Sequence, residues 1–213
     1  MAPPSRILAS PNPPSASPGT VLLQTQRLIL RRYLPSDAEA VSTAANHPQI
    51  AASMTDRFPS PYTIQDAEDF IANGGKGAAD PCYPTHAAIL LRPGTDENRS
   101  SSEPTIIGGI GFRFLDDVRY RTWVLGYFIT PSAWGKGYAT EAVAAAVRWT
   151  FETWPGLCRV EAEAYASNLA SVRVLEKSGF RREGVRRRAV EKNGVVMDEI
   201  ALAAVRADLG MEK

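Results

Sequence analysis

The chain has 213 residues, of which 44% are hydrophobic and 22% charged, and its 24 basic and 23 acidic side chains leave a formal charge of +1. This is the composition of a globular protein, and a nearly neutral chain has no general attraction to nucleic acids or anionic membranes. No apolar run approaches the ~18–20 residues that span a bilayer, so we expect neither nucleic acid nor a membrane among the partners.

The first twenty residues differ in composition from the rest. They contain six prolines and several serines but no acidic residue. Because such a segment cannot bury enough apolar surface to offset its ordering entropy, residues 1–20 are predicted to be a disordered tail and residues 21–213 a single domain. The tail lacks the continuous apolar segment of a secretory signal, which favours a cytoplasmic protein. Its serines, Arg6 and lack of acid leave organelle targeting as an alternative.

The two cysteines, Cys82 and Cys158, are too few for a disulfide framework. No Cys/His spacing predicts a metal site, so none is expected. Both cysteines are predicted to be small buried apolar residues in a reducing compartment.

The domain opens with a strand and a helix. Residues 27–33 place Leu28 and Leu30 on one side of an alternating pattern, which predicts a strand. A proline-initiated helix follows, with Ser36 as its N-cap and Glu39 completing a capping box.

Further elements follow in a mixed order. Asp66 lies three residues after Thr63, which predicts a second capped helix. Asn193-Gly194 predicts a tight hairpin, and the polar segment 92–104 predicts a long, mobile hairpin loop. Strands are predicted at 86–91, 105–114, 123–130, 159–165, 181–191 and 195–205, and helices at 140–154 and 169–178. This order indicates a mixed α/β sheet in one domain.

A glycine-containing turn lies between the strand 123–130 and the helix 140–154. Gly135 and Gly137 allow the backbone to turn tightly and to approach a ligand closely. The N–H groups at the start of the helix, together with its dipole, favour an anion such as a pyrophosphate. An ordinary tight connection is the alternative. The P-loop pattern is absent, and Thr140 stands where the dinucleotide fingerprint needs its third glycine.

A second candidate site begins 31 residues after Gly137, with a pair of polar residues. Asn168 and Ser171 are three residues apart, so they lie on one side of a helix start. Asn168 is either a ligand-binding residue or simply the N-cap of this helix.

Together, WGKGYATEA and NLASVRVLEKSGF resemble the GNAT superfamily of acyl-CoA-dependent N-acyltransferases, and most of all the branch that contains the ribosomal-protein N-terminal acetyltransferases. RLILRR and GYFITPSAWG match this branch as well, so the resemblance covers roughly residues 24–205. It implies a GNAT fold with splayed central strands, and transfer of an acetyl group from acetyl-CoA to an amine.

The resemblance also implies roles for particular residues. The pantetheine arm would pair with the backbone of Phe128, Ile129 and Thr130, and Asn168 would bind the pantetheine region. Ser171 would lie near the sulfur as the one catalytic candidate. The pyrophosphate would be held by backbone N–H groups of Gly135, Lys136, Gly137, Tyr138, Ala139 and Thr140.

The catalytic acid and base depart from the family pattern. Leu175 replaces the tyrosine that many family members carry in the last helix, and Val124 replaces the glutamate that the branch often carries in the fourth strand. Glu161, Glu163, Asp116 and Asp117 are expected to be solvated carboxylates. His47 and His86 titrate near neutrality in principle, but neither lies in a matched position.

The absence of the usual carboxylate base affects which acceptor amines can react. A lysine amine, with a reference pKa of ~10.4, is almost wholly protonated at neutral pH, whereas an α-amine near ~7.7–8 is not. The sequence therefore favours low-pKa amines such as peptide N-termini. A non-catalytic acyl-CoA-binding module, and an acyltransferase with another acyl group or acceptor, are the alternatives. Either a monomer or a homodimer fits the sequence.

Five arginines lie between residues 181 and 188. They are predicted either to bind an acidic partner or the ribose phosphate of the co-substrate, or to protect an edge strand from pairing with another chain.

Overall fold

The computed structural model describes residues 6–74, 80–95 and 102–211. It contains one eight-stranded sheet with helices on both faces. The strands are β1 (Val21–Gln24), β2 (Leu28–Arg31), β3 (Ala87–Leu91), β4 (Thr105–Phe114), β5 (Thr122–Ile129), β6 (Arg159–Tyr165), β7 (Arg181–Lys192) and β8 (Val195–Val205). The helices are α1 (Ala38–Ala45), α2 (Pro48–Ala51), α3 (Ile64–Asn73), α4 (Tyr138–Thr153) and α5 (Leu169–Lys177).

The strands lie in the order β1-β2-β3-β4-β5-β6-β8-β7. Every neighbouring pair is antiparallel except β5 and β6, which are parallel. The β5–β6 ladder contains only three residue pairs, from Thr122 with Arg159 to Val124 with Glu161. Beyond these pairs the two strands diverge, and the second half of β5 bonds only to β4. The mixed α/β sheet with splayed central strands is therefore confirmed.

Two apolar cores cover the two faces. On one face, α4 and α5 pack on the sheet around Trp123, Phe151 and Trp154, which are fully buried. On the other face, α1 and α3 pack around Val41, Ala67 and neighbouring aromatic residues. Since side chains alternate along a strand, β5 contributes to both cores. Its odd-numbered residues from 123 to 129 face α4 and α5, and Phe128 faces the α1 side.

Most predicted elements are confirmed within one or two residues, including β6, β8 and the Asn193-Gly194 turn. Thr63 and Asp66 form the expected capping box of α3. Two short elements, β1 and α2, were not predicted, because four-residue runs carry too little periodicity to be recognised. Part of the predicted loop 92–104 lies outside the described residues. No helix in the described ranges is long and apolar enough to cross a membrane.

The prediction that Ser36 caps α1 is wrong. The first turn begins at Pro35 with Leu34 as its N-cap, two residues before Ser36, and the N–H of Leu34 donates to Asp37 Oδ2 at 2.7 Å. The Asp37 carboxylate is fixed there by two bonds from the guanidinium of Arg31, at 2.6 and 2.8 Å. Asp37 thus takes the capping role at this turn.

The prediction that both cysteines are buried is also wrong. Cys158 is exposed and Cys82 is half-buried. Cys158 follows Leu157, which takes the buried position at the end of the connection from α4 to β6.

Residues 6–20, part of the predicted disordered tail, contain no helix or strand. Leu8 is nevertheless buried against the core on the α4 side. Its N–H donates to the hydroxyl of Tyr83 at 2.7 Å, and that hydroxyl donates in turn to the Leu8 carbonyl at 3.2 Å. The Arg32 guanidinium also donates to the carbonyl of Ser15 at 2.7 Å. These contacts hold this part of the segment against the domain.

Candidate active site

The divergence of β5 from β6 opens a gap inside the sheet, and the backbone of β5 presents alternate groups to it. The N–H of Thr130 donates to Ile107 on β4 at 2.7 Å, and its carbonyl accepts from Ala133 at 2.9 Å. In an extended strand, neighbouring residues direct their backbone groups to opposite sides. The groups of Phe128 therefore face β4, whereas those of Tyr127 and Ile129 face the gap. Of the three predicted pantetheine-binding residues, only Ile129 presents its backbone to the gap.

The carbonyl of Ile129 already has a partner from the following loop. The indole Nε1 of Trp134 donates to it at 2.7 Å, while the Trp134 ring remains 45% exposed. This hydrogen bond joins the loop to the end of β5.

The loop after β5 turns at two glycines in the left-handed region. Gly135 has φ 75° and Gly137 has φ 81°, and Gly137 is the N-cap of α4. The segment from Gly135 to Gly137 is exposed, whereas the side chain of Tyr138 is buried. Ala139 and Thr140 complete the first turn, whose N–H groups have no carbonyl partner within the helix. A helix start of this kind is suited to an anion.

A second group of residues supports this loop, and no sequence pattern indicated it. Thr25 Oγ1 donates to Glu141 Oε1 at 2.5 Å, and the backbone N–H of Arg27 donates to the same oxygen at 3.0 Å. The Arg27 guanidinium contacts Glu141 Oε2 at 2.6 and 2.7 Å and donates to the Lys136 carbonyl at 3.0 Å. Partial burial raises the pKa of Glu141, but the hydrogen bonds from Thr25 and Arg27 outweigh it, so this pKa is lowered overall.

The start of α5 faces Tyr127 across the gap. Asn168 caps the helix, since its side-chain oxygen accepts from the Ser171 N–H at 3.1 Å. The hydroxyls of Ser171 and Tyr127 lie 2.9 Å apart. Burial raises the pKa of Tyr127 to about 12, although the bond to Ser171 opposes this shift. Tyr127 is therefore protonated at neutral pH. Sequence reasoning did not single out Tyr127, although it lies in the matched GYFI stretch.

The Val124 position has a carboxylate beside it, but that carboxylate is already paired. Val124 is adjacent to Glu161 in the β5–β6 register. Glu161 is 8% exposed, so the expectation that it is solvated is wrong. Its two oxygens bind Arg119 at 2.6 Å and Arg159 at 3.1 Å. Asp116 and Asp117 are exposed as expected.

Further along β6, Glu163 lies on the α1 side and is more exposed. It shares the guanidinium of Arg186 with Glu199, at distances of 2.5 and 2.7 Å. Arg181 and Arg182, also in the arginine run, pair with Asp208 and Glu176. The run lies on β7, at one edge of the sheet, which agrees with the edge-strand interpretation.

Aromatic residues cover the α1 side of the gap. Phe58 packs against Tyr62 and Phe128, with ring centroids 4.9 and 5.9 Å apart. The segment before Phe58 is tied to the far side of the gap, because Tyr165 donates to the Met54 carbonyl at 3.1 Å. Lys192 also pairs with Asp56 at 2.7 Å.

The two histidines lie elsewhere. His47 caps α2 through Nδ1. His86 packs against Tyr33 and Phe70 with centroid distances of 5.3 and 5.0 Å. Burial lowers the pKa of His86 to about 4, so it is neutral at physiological pH.

Residues 27–181 match the family described as the acetyltransferase (GNAT) domain, and the chain belongs to this family. It is an acetyl-CoA-dependent acetyltransferase, and the general reaction of the family is acyl transfer from acetyl-CoA to an amine. The splayed strands and the glycine loop described above are the parts of the fold that suit this co-substrate.

Named relatives and solved structures agree with this assignment. The uncharacterized N-acetyltransferase YoaA of Bacillus subtilis is 32% identical over 182 residues, covering 83% of this chain and 92% of that protein. A GNAT-family acetyltransferase structure from Bacillus anthracis has a TM-score of 0.69 at 25% identity, covering 87% of this chain and 98% of that one. The ribosomal L7/L12 alpha-N-protein acetyltransferase RimL, solved with coenzyme A, has a TM-score of 0.71 at 18% identity, covering 87% and 97%. At that identity, the likeness to RimL concerns the fold alone.

Proposed function

We propose that this enzyme acetylates low-pKa amines, with the α-amine of a peptide as the preferred class of acceptor, by direct attack in a ternary complex. One observation carries the choice of acceptor. Val124 stands at the position of the usual base, and the adjacent carboxylate of Glu161 is held by two arginines. A paired, buried carboxylate is a poor base, because accepting a proton would break its ion pairs.

The residues present fit acetyl-CoA, which supplies the thioester carbonyl that the neutral amine attacks. Gly135 and Gly137 keep Cβ atoms out of the loop, and their neighbours Lys136, Tyr138, Ala139 and Thr140 contribute the remaining N–H groups. Beside the gap, the backbone of Tyr127 and the N–H of Ile129 face an extended arm, whereas the Ile129 carbonyl accepts from Trp134. Asn168 is engaged as a cap through its oxygen, which leaves its amide N–H₂ to face a ligand.

The strand N–H groups also stabilise developing negative charge on a carbonyl oxygen. A preorganised donor in a water-poor site typically lowers the activation free energy by ~2.7–4 kcal/mol. Ile129 is the residue of β5 that we assign to this role, because its N–H is directed into the gap. The backbone groups of Phe128 face β4 instead, so its N–H does not serve in this role.

Ser171 and Tyr127 form the proton-donating pair of the proposal. A bare serine is a weak acid, but here its hydroxyl is 2.9 Å from a protonated tyrosine. As Ser171 donates its proton to the departing sulfur, Tyr127 donates its own to Ser171, and the proton that the acceptor amine loses returns through solvent to the Tyr127 oxygen. The proton-donating tyrosine thus lies on β5. Many members of the family carry such a tyrosine in the last helix instead, at the position of Leu175 in this chain.

The α-amine preference explains how the reaction proceeds without a strong base. At pH 7.5, an amine of pKa ~7.7–8 is roughly one-third neutral, whereas a lysine of pKa ~10.4 is about 0.1% neutral. The reactive fractions therefore differ by roughly 200- to 300-fold. Any acceptor whose amine titrates near neutrality has the same advantage.

The test measures coenzyme A release from acetyl-CoA with three acceptors: a peptide with a free α-amine and no lysine, the same peptide N-terminally blocked with one lysine, and spermidine. The expected order of kcat/KM is the free α-amine far above the other two. A preference for lysine or spermidine contradicts the acceptor assignment. Tight acetyl-CoA binding without turnover on any acceptor identifies a binding module instead, and turnover only with longer acyl-CoAs identifies a different acyl donor.

A further inference from the structure

The turn between β1 and β2 lies directly beneath the glycine loop. Arg27 is 114 residues from Glu141 in sequence, and its side chain touches both the loop and the first turn of α4. The Arg27 guanidinium also lies over the Tyr138 ring, 4.6 Å from the ring centroid. The guanidinium is thus anchored at several points while remaining 37% exposed.

One of these contacts fixes a peptide plane. Arg27 Nη1 donates to the carbonyl of Lys136 at 3.0 Å. The Lys136 carbonyl and the Gly137 N–H belong to the same trans peptide unit, so they point in opposite directions. Holding the carbonyl toward Arg27 therefore turns the Gly137 N–H away from Arg27, on the open side of the loop.

The same contacts remove an electrostatic obstacle. Glu141 lies in the first turn of α4, where its carboxylate complements the helix dipole but repels a second anion. Arg27 and Thr25 occupy both of its oxygens. The negative charge is thereby paired and held on the β1–β2 side, which leaves the helix start available to a diphosphate.

We infer that Arg27 is a positioning residue for the diphosphate of the acyl-CoA co-substrate: it orients the Gly137 N–H and pairs the Glu141 carboxylate. This inference rests on the proposed binding of acetyl-CoA at the loop. Arg27 acts through the loop, so its effect depends on the diphosphate being present in the donor.

The experiment compares two acetyl donors, acetyl-CoA and S-acetylpantetheine, which keeps the thioester and the arm but has no diphosphate. We would measure kcat/KM for both donors, and the Kd of acetyl-CoA by titration calorimetry. The variants are Arg27→Ala and Arg27→Lys, with Arg113→Ala as the control, because Arg113 is an exposed arginine on β4.

For Arg27→Ala we expect about tenfold weaker acetyl-CoA binding, the value of about one hydrogen bond to a charged group. We expect an unchanged kcat/KM with S-acetylpantetheine, which also shows that the variant is folded. Arg27→Lys cannot reach Glu141 and Lys136 together, so it should weaken acetyl-CoA binding in the same direction. Arg113→Ala should behave as the wild type with both donors.

An equal loss with both donors overturns the inference, because it means that Arg27 only maintains the fold. Unchanged acetyl-CoA binding in both Arg27 variants overturns it as well. Failure of the underlying proposal gives a different result, because the wild-type protein would then bind no acetyl-CoA at all.

Discussion

Replacing Gly137 with alanine tests whether the conformation of the glycine loop matters, because the cost of this change can be worked out from the structure. At φ 81°, an L-residue is strained by about 1–2 kcal/mol. A Cβ at this position would meet only Arg27 Nη2, at 3.5 Å, which is an ordinary contact. Steric overlap adds nothing, so the backbone carries the whole effect.

The expected net change follows from two opposing contributions. Alanine reduces the entropy of the unfolded chain, which offsets about 0.4–1 kcal/mol of the strain. We therefore expect the free energy of unfolding to fall by about 1 kcal/mol and the Tm by about 2–4 °C. If the loop relaxes in the free protein, acetyl-CoA must restore the strained conformation, and a cost of about 1 kcal/mol weakens its binding about fivefold.

Calorimetric unfolding and acetyl-CoA titration measure the two effects. Gly184→Ala is the matched control, because Gly184 lies on β7 without a left-handed φ, and a Cβ there would meet nothing within 4 Å. The reasoning is refuted if Gly137→Ala unfolds at the same temperature as Gly184→Ala and binds acetyl-CoA with wild-type affinity.

The remaining predictions concern other contacts. Tyr127→Phe should lower kcat at least about tenfold, as the loss of a proton donor does, with the Kd of acetyl-CoA unchanged in titration; an unchanged kcat contradicts the proton-donating pair. Leu8→Ala should lower the free energy of unfolding in urea by about 2–3 kcal/mol, as expected for truncating a buried leucine. The variant of its exposed neighbour, Ile7→Ala, should change this free energy by less than about 0.5 kcal/mol. Equal changes in the two variants would show that the segment does not pack in solution. The pKa of His86 is lowered to about 4, below the unfolded value of ~6.5, so the unfolded chain binds more protons between these values and stability should fall as the pH drops through this window. His86→Gln should reduce that pH dependence relative to the wild type, measured by urea unfolding at pH 7 and 4.5; equal slopes in the two proteins argue against a buried neutral His86.

Local patterns predicted the parts of the candidate site that are built from neighbouring residues. The glycines of the loop were recognisable because a strand, a tight turn and a helix follow one another within a dozen residues. Asn168 was recognisable as a cap for the same reason, since its partner Ser171 is three residues away.

The contacts that support these segments join distant parts of the chain, so no local window contains them. Glu141 binds Thr25 across 116 residues, and Tyr127 meets Ser171 across 44. The error at Glu161 has a similar origin. Its environment includes Arg119, 42 residues earlier, whose guanidinium donates to the carboxylate.

The short ladder between β5 and β6 has a mechanical consequence. It divides the sheet into a five-stranded part and a three-stranded part, which share only the residue pairs from Thr122–Arg159 to Val124–Glu161. A small rotation about this junction changes the separation little at Val124 but more with each residue toward Ile129, as at the free end of a lever. The ion pairs of Glu161 lie at the pivot. Substitutions there, outside the glycine loop, would therefore alter the width of the gap that we propose holds the thioester.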